Sequence, residues 1–296
     1  MPNMRETFLS TVEEIVDTDP DVAVVLADIS VAQLAGAARR HPDRVLNVGI
    51  REQLLVSTGA GLALAGLRPI VHTFSAFLVE RAFEQIKLDL SHQDAGAVLV
   101  SYGASYDMPA EGRTHQSPGD VALMDSLPGW TIHVPGHPDE ARRLLLDSVP
   151  GDGRVYLRLS AQENASPYLG VGFQTLRQGS RGVVVAVGPM LDRVLVATED
   201  MDVTVLYTTT IRPFDAAGLR AAVADVADVV LVEPYLAGTS AHCVAEALVD
   251  VPHRLLCLGA RRDIEVRGYG ELADHDLAHG LDAGSIALSL KDFLRP

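Results

Sequence analysis

The pattern of hydrophobic and polar positions divides the chain into two alternating kinds of segment. Short continuous apolar runs, such as residues 22–27, are typical of strands buried on both faces of a sheet. Between them lie longer segments with apolar residues at helical spacing, such as residues 139–148. Because strands that alternate with helices form parallel sheets with right-handed crossovers, the pattern predicts an α/β fold.

The predicted elements alternate in both halves of the chain. The predicted strands of the first half are 22–27, 45–48, 69–73, 97–101, 131–134 and 155–159. The predicted helices of the first half are 7–16, 33–40, 52–65, 78–92, 121–127 and 139–148. In the second half, strands are predicted at 182–187, 203–207, 229–232 and 254–258, and helices at 216–227, 240–248 and 285–293.

Residues 166–180 interrupt the alternation with a polar stretch that is rich in glycine. We therefore predict two domains, residues 1–165 and 181–296, joined by this stretch as a linker. A chain of 296 residues is long enough for two cores of ordinary size. Each domain is predicted to hold a mostly parallel sheet flanked by helices.

Composition and charge argue against several classes of function. The formal net charge of −15 argues against a nucleic-acid surface, which needs clustered lysine and arginine. No stretch approaches the roughly 18 apolar residues of a membrane span, and the first residues lack the apolar core of a signal peptide. Cys243 and Cys257 lie in apolar runs without metal-ligand or disulfide spacing, so we expect buried thiols in a reducing cytoplasm.

Three segments carry the candidate chemistry. The first runs from Asn47 to Gln53, where a short predicted strand is followed by Gly49 and then by Glu52 in the first turn of a helix. Such a position opens onto the edge of a parallel sheet, where open α/β proteins bind ligands. A glutamate at this position can also serve only to interact with the helix dipole.

The other two segments are Thr-Phe-Ser-Ala-Phe at residues 73–77 and Glu-Gly-Arg-Thr-His-Gln at residues 111–116. The latter lies in a loop, residues 103–118, that is too long to be a simple connector. In this order and at this spacing, the three segments resemble the pyrimidine-binding half of the transketolase family of thiamine diphosphate enzymes. The resemblance runs from about Asp28 to the end of the chain, and residues 181–296 resemble the family's C-terminal domain.

The resemblance implies a catalytic, cofactor-binding role for Glu52, which matches the glutamate of the family's Gly-Ile-x-Glu motif. In the family, this carboxyl group bonds the far nitrogen of the cofactor's aminopyrimidine ring and favours the tautomer that acts as the base. That role needs a glutamate in a dry environment, which tunes its proton affinity. Phe74 and Phe77 match the aromatic residues that flank the ring, with Phe77 expected on the stacked face. Both can instead be ordinary core residues.

His115 matches the catalytic histidine of the family's Thr-His-Gln loop, which faces the substrate and can move protons there. A histidine that only supports the loop backbone is the alternative. Asp28 matches an aspartate near the family's cofactor-binding subunit interface, and a simple helix-entry cap is the competing explanation. Two expected substrate contacts depart from the family pattern, because Glu111 replaces an aspartate and Arg113 replaces a proline.

The side chains with which many transketolases grip a sugar phosphate are missing. Their positions fall near Ala32, Gly103 and Ala161, none of which can bind an anion by its side chain. Arg113 can replace them, since a guanidinium group binds phosphate or carboxylate through two parallel hydrogen bonds. We therefore expect a substrate other than a standard sugar phosphate held in the standard way.

The family's site for the cofactor's diphosphate and its Mg²⁺ is also missing. The sequence Gly151-Asp152-Gly153 has the wrong placement for it and is predicted to form a turn. The resemblance therefore implies the C-terminal subunit of a split transketolase, without metal ligands of its own, with Mg²⁺ held mainly by a separate N-terminal-section subunit. Such a subunit transfers a two-carbon ketol unit from a ketose to an aldehyde acceptor only in a complex, and its self-association implies a two-plus-two heterotetramer.

Other functions fit parts of the sequence. A β subunit of a 2-oxo acid dehydrogenase, which passes an acyl group to a lipoyl or carrier protein, shares the domain plan but usually lacks a Thr-His-Gln loop. A non-catalytic structural subunit is disfavoured by the presence of Glu52, Phe74, Phe77 and His115. A dinucleotide-binding fingerprint at residues 59–66 is disfavoured because these glycines lie inside a predicted helix instead of at a strand–helix turn.

Overall fold

A computed structural model describes residues 2–223 and 227–295, which form two sheets flanked by helices. The strands, in chain order, are β1 (Val22–Leu26), β2 (Val45–Asn47), β3 (Arg68–Phe74), β4 (Val98–Tyr102), β5 (Trp130–His133), β6 (Arg154–Arg158), β7 (Gln174–Arg177), β8 (Val183–Val187), β9 (Thr204–Thr208), β10 (Thr210–Arg212), β11 (Ala227–Leu236) and β12 (His253–Ala260). The first sheet has the order β10-β5-β6-β4-β3-β1-β2, and the second β12-β11-β8-β9-β7. Antiparallel pairing joins β10 to β5 and β7 to β9, and the other described pairs are parallel. The predicted fold class is confirmed.

The helices cover both faces of the sheets. In chain order they are α1 (Met4–Thr18), α2 (Ala35–Arg40), α3 (Glu52–Leu64), α4 (Phe83–Gln85), α5 (Asp120–Asp125), α6 (Pro138–Ser148), α7 (Leu191–Ala197), α8 (Ala216–Ala222), α9 (Ala241–Ala247), α10 (Leu272–His279) and α11 (Ala283–Phe293). Two π-helical segments, Ala76–Arg81 and Ile86–His92, flank α4. None of the helices described is long and apolar enough to span a bilayer.

The central strand β1 shows why a continuous apolar run marks this fold. All of its residues are buried. Val24 packs in the cluster that includes side chains of α1 and α6, whereas Val25 packs in the cluster that includes side chains of α3. Because successive strand residues point to opposite faces, a strand covered on both sides has no position for a polar residue.

The sequence pattern predicts one regular helix at residues 78–92, and the structure differs there. The helical region begins at Ala76 and is π-helical except for the single turn of α4. A π-helix bonds residue i to residue i+5, so its side chains are not arranged at the α-helical spacing that the prediction assumes. The side chains after Phe77 therefore project in directions that an α-helical wheel does not give.

The second half of the chain departs from the predicted linker and elements. Strand β7 lies inside residues 166–180 and pairs with β9, and β10 returns to the edge of the first sheet. Helices α7 and α10 are absent from the sequence prediction. The helix predicted at 216–227 ends at Ala222 in the described part, and residues 224–226 lie outside the described residues. The domain boundaries themselves stay a prediction.

Both cysteines are free thiols. Cys243 is buried, as predicted, whereas Cys257 is only half-buried. Burial raises the pKa of each thiol to about 11. A thiol with a raised pKa is a poor nucleophile at neutral pH, so neither cysteine is an activated catalytic residue.

A buried carboxyl group on β11 makes stability depend on pH. Glu233 is fully buried, and burial raises its pKa to about 7 from an ordinary value of 4.5. Between these values the folded chain holds a proton that the unfolded chain releases. This contribution to stability is therefore complete below pH 4.5 and is lost as pH rises through 7.

Replacing Glu233 with glutamine is expected to remove that dependence. Relative to Glu233→Gln, the wild-type free energy of unfolding should fall by roughly 3 kcal/mol between about pH 4.5 and about pH 8.5, as measured by urea denaturation. Glu84→Gln, at an exposed position on α4, is the control and should follow the wild-type pH profile. Parallel profiles for wild type and Glu233→Gln would contradict the prediction.

Candidate active site

The turn between β2 and α3 places Glu52 at the edge of the first sheet. Gly49 has a φ of +74°, a left-handed conformation that glycine adopts without strain. Asn47 secures the turn, because its Oδ1 accepts hydrogen bonds from the amides of Asp28 at 3.0 Å and of Gly49 at 3.1 Å. Glu52 is the first residue of α3, as predicted, and its side chain is only 2% exposed.

A guanidinium group lies against this buried carboxylate. Arg81 Nη1 donates to Glu52 Oε2 at 2.7 Å, and the Arg81 side chain is 39% exposed. Gln53 Nε2 donates to the Arg81 carbonyl oxygen at 3.1 Å, which joins α3 to the first π-helical segment. The sequence predicts no role for Arg81. The position of Arg81, four residues after Phe77, is only a weak indication that it belongs to the site. Nothing in the sequence pairs Arg81 with Glu52, which lies 29 residues earlier.

Three half-buried rings lie next to this ion pair. Phe74 ends β3 and Phe77 follows in the π-helical segment, and their ring centroids are 5.9 Å apart with the rings nearly perpendicular. His115 packs against both, with its centroid 4.9 Å from that of Phe77 and 5.6 Å from that of Phe74. The guanidinium carbon of Arg81 lies 4.0 Å from the Phe77 centroid. The structure thus brings side chains from all three sequence segments together around Glu52.

The loop of residues 103–118, called the histidine loop, contains two short 3₁₀ turns, Pro109–Glu111 and Arg113–His115. These turns bring His115 toward the two phenylalanine rings. Gly112 between them has a φ of +72°. A Cβ at Gly112 would lie 2.7 Å from the ring of Tyr269, so only glycine fits without a shift of the neighbouring chain. The second half of the chain therefore packs directly against the loop that carries His115.

The predicted substrate residues Glu111 and Arg113 are both exposed. Arg113 Nε donates to Glu265 Oε1 at 2.9 Å, and its Nη1 donates to the Gln116 carbonyl oxygen at 2.6 Å. Arg113 also lines a cavity of about 270 Å³ between the loop and the segment 261–266. The guanidinium group is thus already partly engaged, and its contact with substrate stays a prediction.

A fully buried polar cluster lies beneath the histidine loop and residues 73–77, which are called the aromatic segment. Asp120 Oδ2 accepts hydrogen bonds from Ser75 Oγ at 2.9 Å, Tyr156 OH at 2.7 Å and Arg158 Nε at 2.7 Å. Ser117 Oγ donates to Ser75 Oγ at 2.6 Å. Burial holds the pKa of Tyr156 well above its ordinary value, so it donates as a neutral hydroxyl. Because Ser75 lies between Phe74 and Phe77 and Ser117 lies two residues after His115 in the histidine loop, the cluster holds the two segments together.

The same cluster reaches the second half of the chain. Arg158 Nη2 donates to Ser105 Oγ at 2.6 Å, and Ser105 Oγ in turn donates to the Pro234 carbonyl oxygen. The amide of Leu236 donates to the Pro118 carbonyl oxygen at 2.8 Å. Both ends of the histidine loop are therefore tied to β11. Sequence reasoning missed this cluster because its members come from five separate segments.

Asp28 lies on the same sheet edge, at the end of β1. Its Oδ1 accepts a hydrogen bond from Asn47 Nδ2 at 2.9 Å, and its φ is +63°. Helix α2 begins only at Ala35, so Asp28 does not cap it. Asp28 is exposed and is linked to the turn before Glu52 through Asn47. Its contact with a cofactor or a second subunit stays a prediction.

The arrangement fits a flat ring with a polar edge. Glu52 offers a buried carboxyl group, Phe77 offers an aromatic face, and His115 lies against the rings. These are the contacts that an aminopyrimidine ring needs, namely stacking and a hydrogen bond from a desolvated carboxyl group. Among residues 2–223 and 227–295, no group of three or more histidine, cysteine, aspartate or glutamate side chains is placed to hold a metal ion.

Known proteins share this sequence and fold. The family model of the transketolase pyrimidine-binding domain matches residues 1–166. An uncharacterized 33.6 kDa protein in the fasciation locus of Rhodococcoides fascians is 57% identical over 99% of this chain and 95% of the relative. One of the subunits of the apulose-4-phosphate transketolase of Actinobacillus succinogenes is 33% identical over 97% of this chain and 96% of the relative.

A solved structure described as a split gene transketolase, inactive beta4 tetramer, has a TM-score of 0.83 at 24% identity and covers 99% of this chain and 98% of that chain. The fold and the matched domain define the class, which is that of pyrimidine-binding α/β proteins of the thiamine diphosphate type. The chain belongs to the transketolase family. Within this family it corresponds to the C-terminal section of a split transketolase, and membership implies dependence on thiamine diphosphate.

Proposed function

We propose that the chain is the C-terminal subunit of a split transketolase, which transfers a two-carbon ketol unit from a ketose donor to an aldehyde acceptor. The observation that carries this proposal is the convergence of Glu52, Phe74, Phe77 and His115 from three distant segments. A structural subunit has no need of a buried carboxyl group beside half-buried aromatic faces. The name of the relative from Actinobacillus succinogenes, a transketolase subunit, supports the same function.

Glu52 is proposed to hold a proton at the edge of the pyrimidine ring. When bound, thiamine diphosphate would supply the nucleophilic carbon that ketol transfer needs. The chain's contribution is a carboxyl group that is nearly inaccessible to water, where a hydrogen bond to a ring nitrogen is strong. Phe74 and Phe77 orient the ring and exclude water from the same space.

The complete site is proposed to form with an N-terminal-section subunit that holds the cofactor's diphosphate and Mg²⁺. Large apolar side chains that are exposed on or near α3 are Ile50, Leu54, Leu64 and Leu88. Several large apolar side chains exposed on neighbouring segments favour burial against another polypeptide. We propose a dimer of this chain within a two-plus-two heterotetramer in the cytoplasm, with Asp28 near the subunit interface.

The substrate is proposed to be a ketose that is not held as a standard sugar phosphate. Arg113 beside the cavity between the loop and segment 261–266 supplies an anion-binding group near His115, with Glu111 next to it. The name of the relative that acts in an apulose-4-phosphate transketolase supports a less common ketose. A normal Michaelis constant with xylulose 5-phosphate would contradict this part of the proposal.

The function is tested by reconstitution. The chain is used to co-purify its partner, and the complex is assayed with thiamine diphosphate, Mg²⁺ and a panel of ketose donors with aldehyde acceptors. A parallel panel combines 2-oxo acids with a lipoyl acceptor. Ketol transfer by the complex, and none by the chain alone, is expected. Acyl transfer to the lipoyl acceptor would favour the 2-oxo acid dehydrogenase function instead, and a complex without turnover would favour a structural subunit.

His115→Asn is expected to lower kcat/KM for the ketose by about 10²-fold, because asparagine can donate a hydrogen bond but cannot move a proton. Cofactor affinity, measured by calorimetry on the complex, should stay unchanged. His92→Asn, at an exposed position that ends the second π-helical segment, serves as the control. If cofactor affinity and kcat/KM fell together in His115→Asn, the histidine would only support the loop.

A further inference from the structure

Arg81 makes both of the contacts that the proposed cofactor ring requires. Its guanidinium group donates to Glu52 Oε2 at 2.7 Å. The same planar group lies over the ring of Phe77, with its central carbon 4.0 Å from the centroid. A flat group that lies over an aromatic ring and bonds a buried carboxyl group makes the same interactions as an aminopyrimidine ring. The N–H groups of the guanidinium take the place of the polar edge of that ring.

We propose that Arg81 occupies the place of the pyrimidine ring in the cofactor-free chain and leaves when the ring enters. This inference rests on the proposed function, since it assumes that the ring binds between Glu52 and Phe77. Arg81 then competes with the cofactor for one position. Its side chain is a built-in occupant of the site.

The Arg81 side chain can leave this position without a movement of the main chain. Its side chain is 39% exposed, whereas that of Glu52 is 2% exposed, so the cation can move into water while the carboxyl group stays in place. Gln53 Nε2 bonds the backbone carbonyl oxygen of Arg81 and holds the main chain still. Only rotation of the Arg81 side chain is therefore needed, which takes place within nanoseconds for exposed residues.

The ion pair also gives a physical reason for a cation beside Glu52 when no cofactor is bound. A buried carboxylate without a partner is costly, and removal of its cation leaves an uncompensated charge. Arg81 supplies the missing charge until the cofactor arrives. The proposed catalysis needs Glu52 to hydrogen-bond a ring nitrogen, and the Arg81 guanidinium group takes up the Glu52 oxygen Oε2 while the ion pair is formed. The ion pair therefore suits the cofactor-free state and opposes the catalytic one.

The alternative is a permanent partnership, in which Arg81 keeps its bond to Glu52 while the ring binds. The two arrangements predict opposite effects of removing the cation. An occupant that must leave weakens cofactor binding, so its removal tightens binding. A permanent partner orients Glu52 for the ring, so its removal weakens binding.

The test is cofactor binding to the reconstituted complex of Arg81→Met, which keeps an apolar stem over Phe77 but lacks the charge. Isothermal titration of thiamine diphosphate with Mg²⁺ should give a dissociation constant roughly three- to tenfold lower than that of wild type, since one partly exposed ion pair need not be broken. Arg81→Lys, which keeps the cation, should bind with an affinity between the two. Arg40→Met is the matched control, because Arg40 is 46% exposed and also forms ion pairs, and its affinity should equal that of wild type.

Thermal unfolding of the same complexes gives a second readout that does not depend on activity. Arg81→Met should melt at a lower temperature than wild type without cofactor, and this difference should shrink at saturating cofactor. A difference that persists at saturation, or an affinity that is unchanged or weaker, would overturn the inference while the proposed function stands. A wild-type complex that binds no thiamine diphosphate would overturn both.

Discussion

Replacing Glu52 with glutamine is expected to lower the turnover rate of the reconstituted complex by about 10²- to 10⁴-fold, the range for removal of a positioned acid or base. Glutamine has nearly the same shape as glutamate, so the side chain still fits its buried place at the start of α3. It cannot exchange a proton with a ring nitrogen. The measurement is steady-state ketol transfer, with saturating cofactor and partner subunit.

The control for Glu52 is Glu84→Gln, because Glu84 is an exposed carboxylate on α4 and its loss leaves the buried site unchanged. Circular dichroism of both variants checks that the fold is retained. Loss of the charge at Glu52 also frees Arg81 from its ion pair, so the rate should be compared at saturating cofactor. A fully active Glu52→Gln complex would exclude the proposed role of Glu52.

Replacing Asp120 with asparagine is expected to destabilise the chain by about 3–5 kcal/mol, which is the usual cost of leaving one member of a buried ion pair without its partner. Asp120 and Arg158 are 0% and 1% exposed, and the same carboxylate oxygen also accepts from Ser75 and Tyr156. Asparagine cannot neutralise the Arg158 cation. Urea denaturation of the isolated chain measures the change.

Asp17→Asn is the matched control, since Asp17 is 38% exposed in its ion pair with Arg40 and should lose far less stability. A second variant replaces both Asp120 and Arg158 with leucine and methionine. This apolar pair should restore part of the lost stability, because it removes the uncompensated charge but leaves Ser75 and Tyr156 without their acceptor. If Asp120→Asn were as stable as Asp17→Asn, the buried cluster would not hold the loop and the aromatic segment together.

Local patterns predict the parts of the fold that depend on burial. Residues 22–27 are apolar because β1 is covered on both faces, and this requirement is visible in one strand alone. The glycine turn before Glu52 predicts a helix N-terminus there, and the structure places Glu52 at that position. The predicted site residues Phe74, Phe77 and His115 come together, which the spacing of their motifs indicates through a family resemblance.

Other features depend on contacts between distant residues. The π-helical geometry at Ala76–Arg81 is invisible to a pattern search that assumes 3.6 residues per turn, and it sets the direction of the Arg81 side chain. Strands β7 and β10 are short, and each exists because a distant strand offers a pairing edge. The Asp120 cluster draws on several segments that no local pattern connects.

The sequence by itself determined the α/β class, the core strands and the position of the acidic residue that starts α3, because these follow from the polarity and spacing of neighbouring residues. Tertiary structure alone decided which groups face Glu52 and how the histidine loop is held. The pairing of Glu52 with Arg81 and the burial of Asp120 with Arg158 both arise from chain segments brought together by folding. Electrostatic and hydrogen-bond energies depend on distance in space and on burial, and neither quantity can be read from separation along the chain.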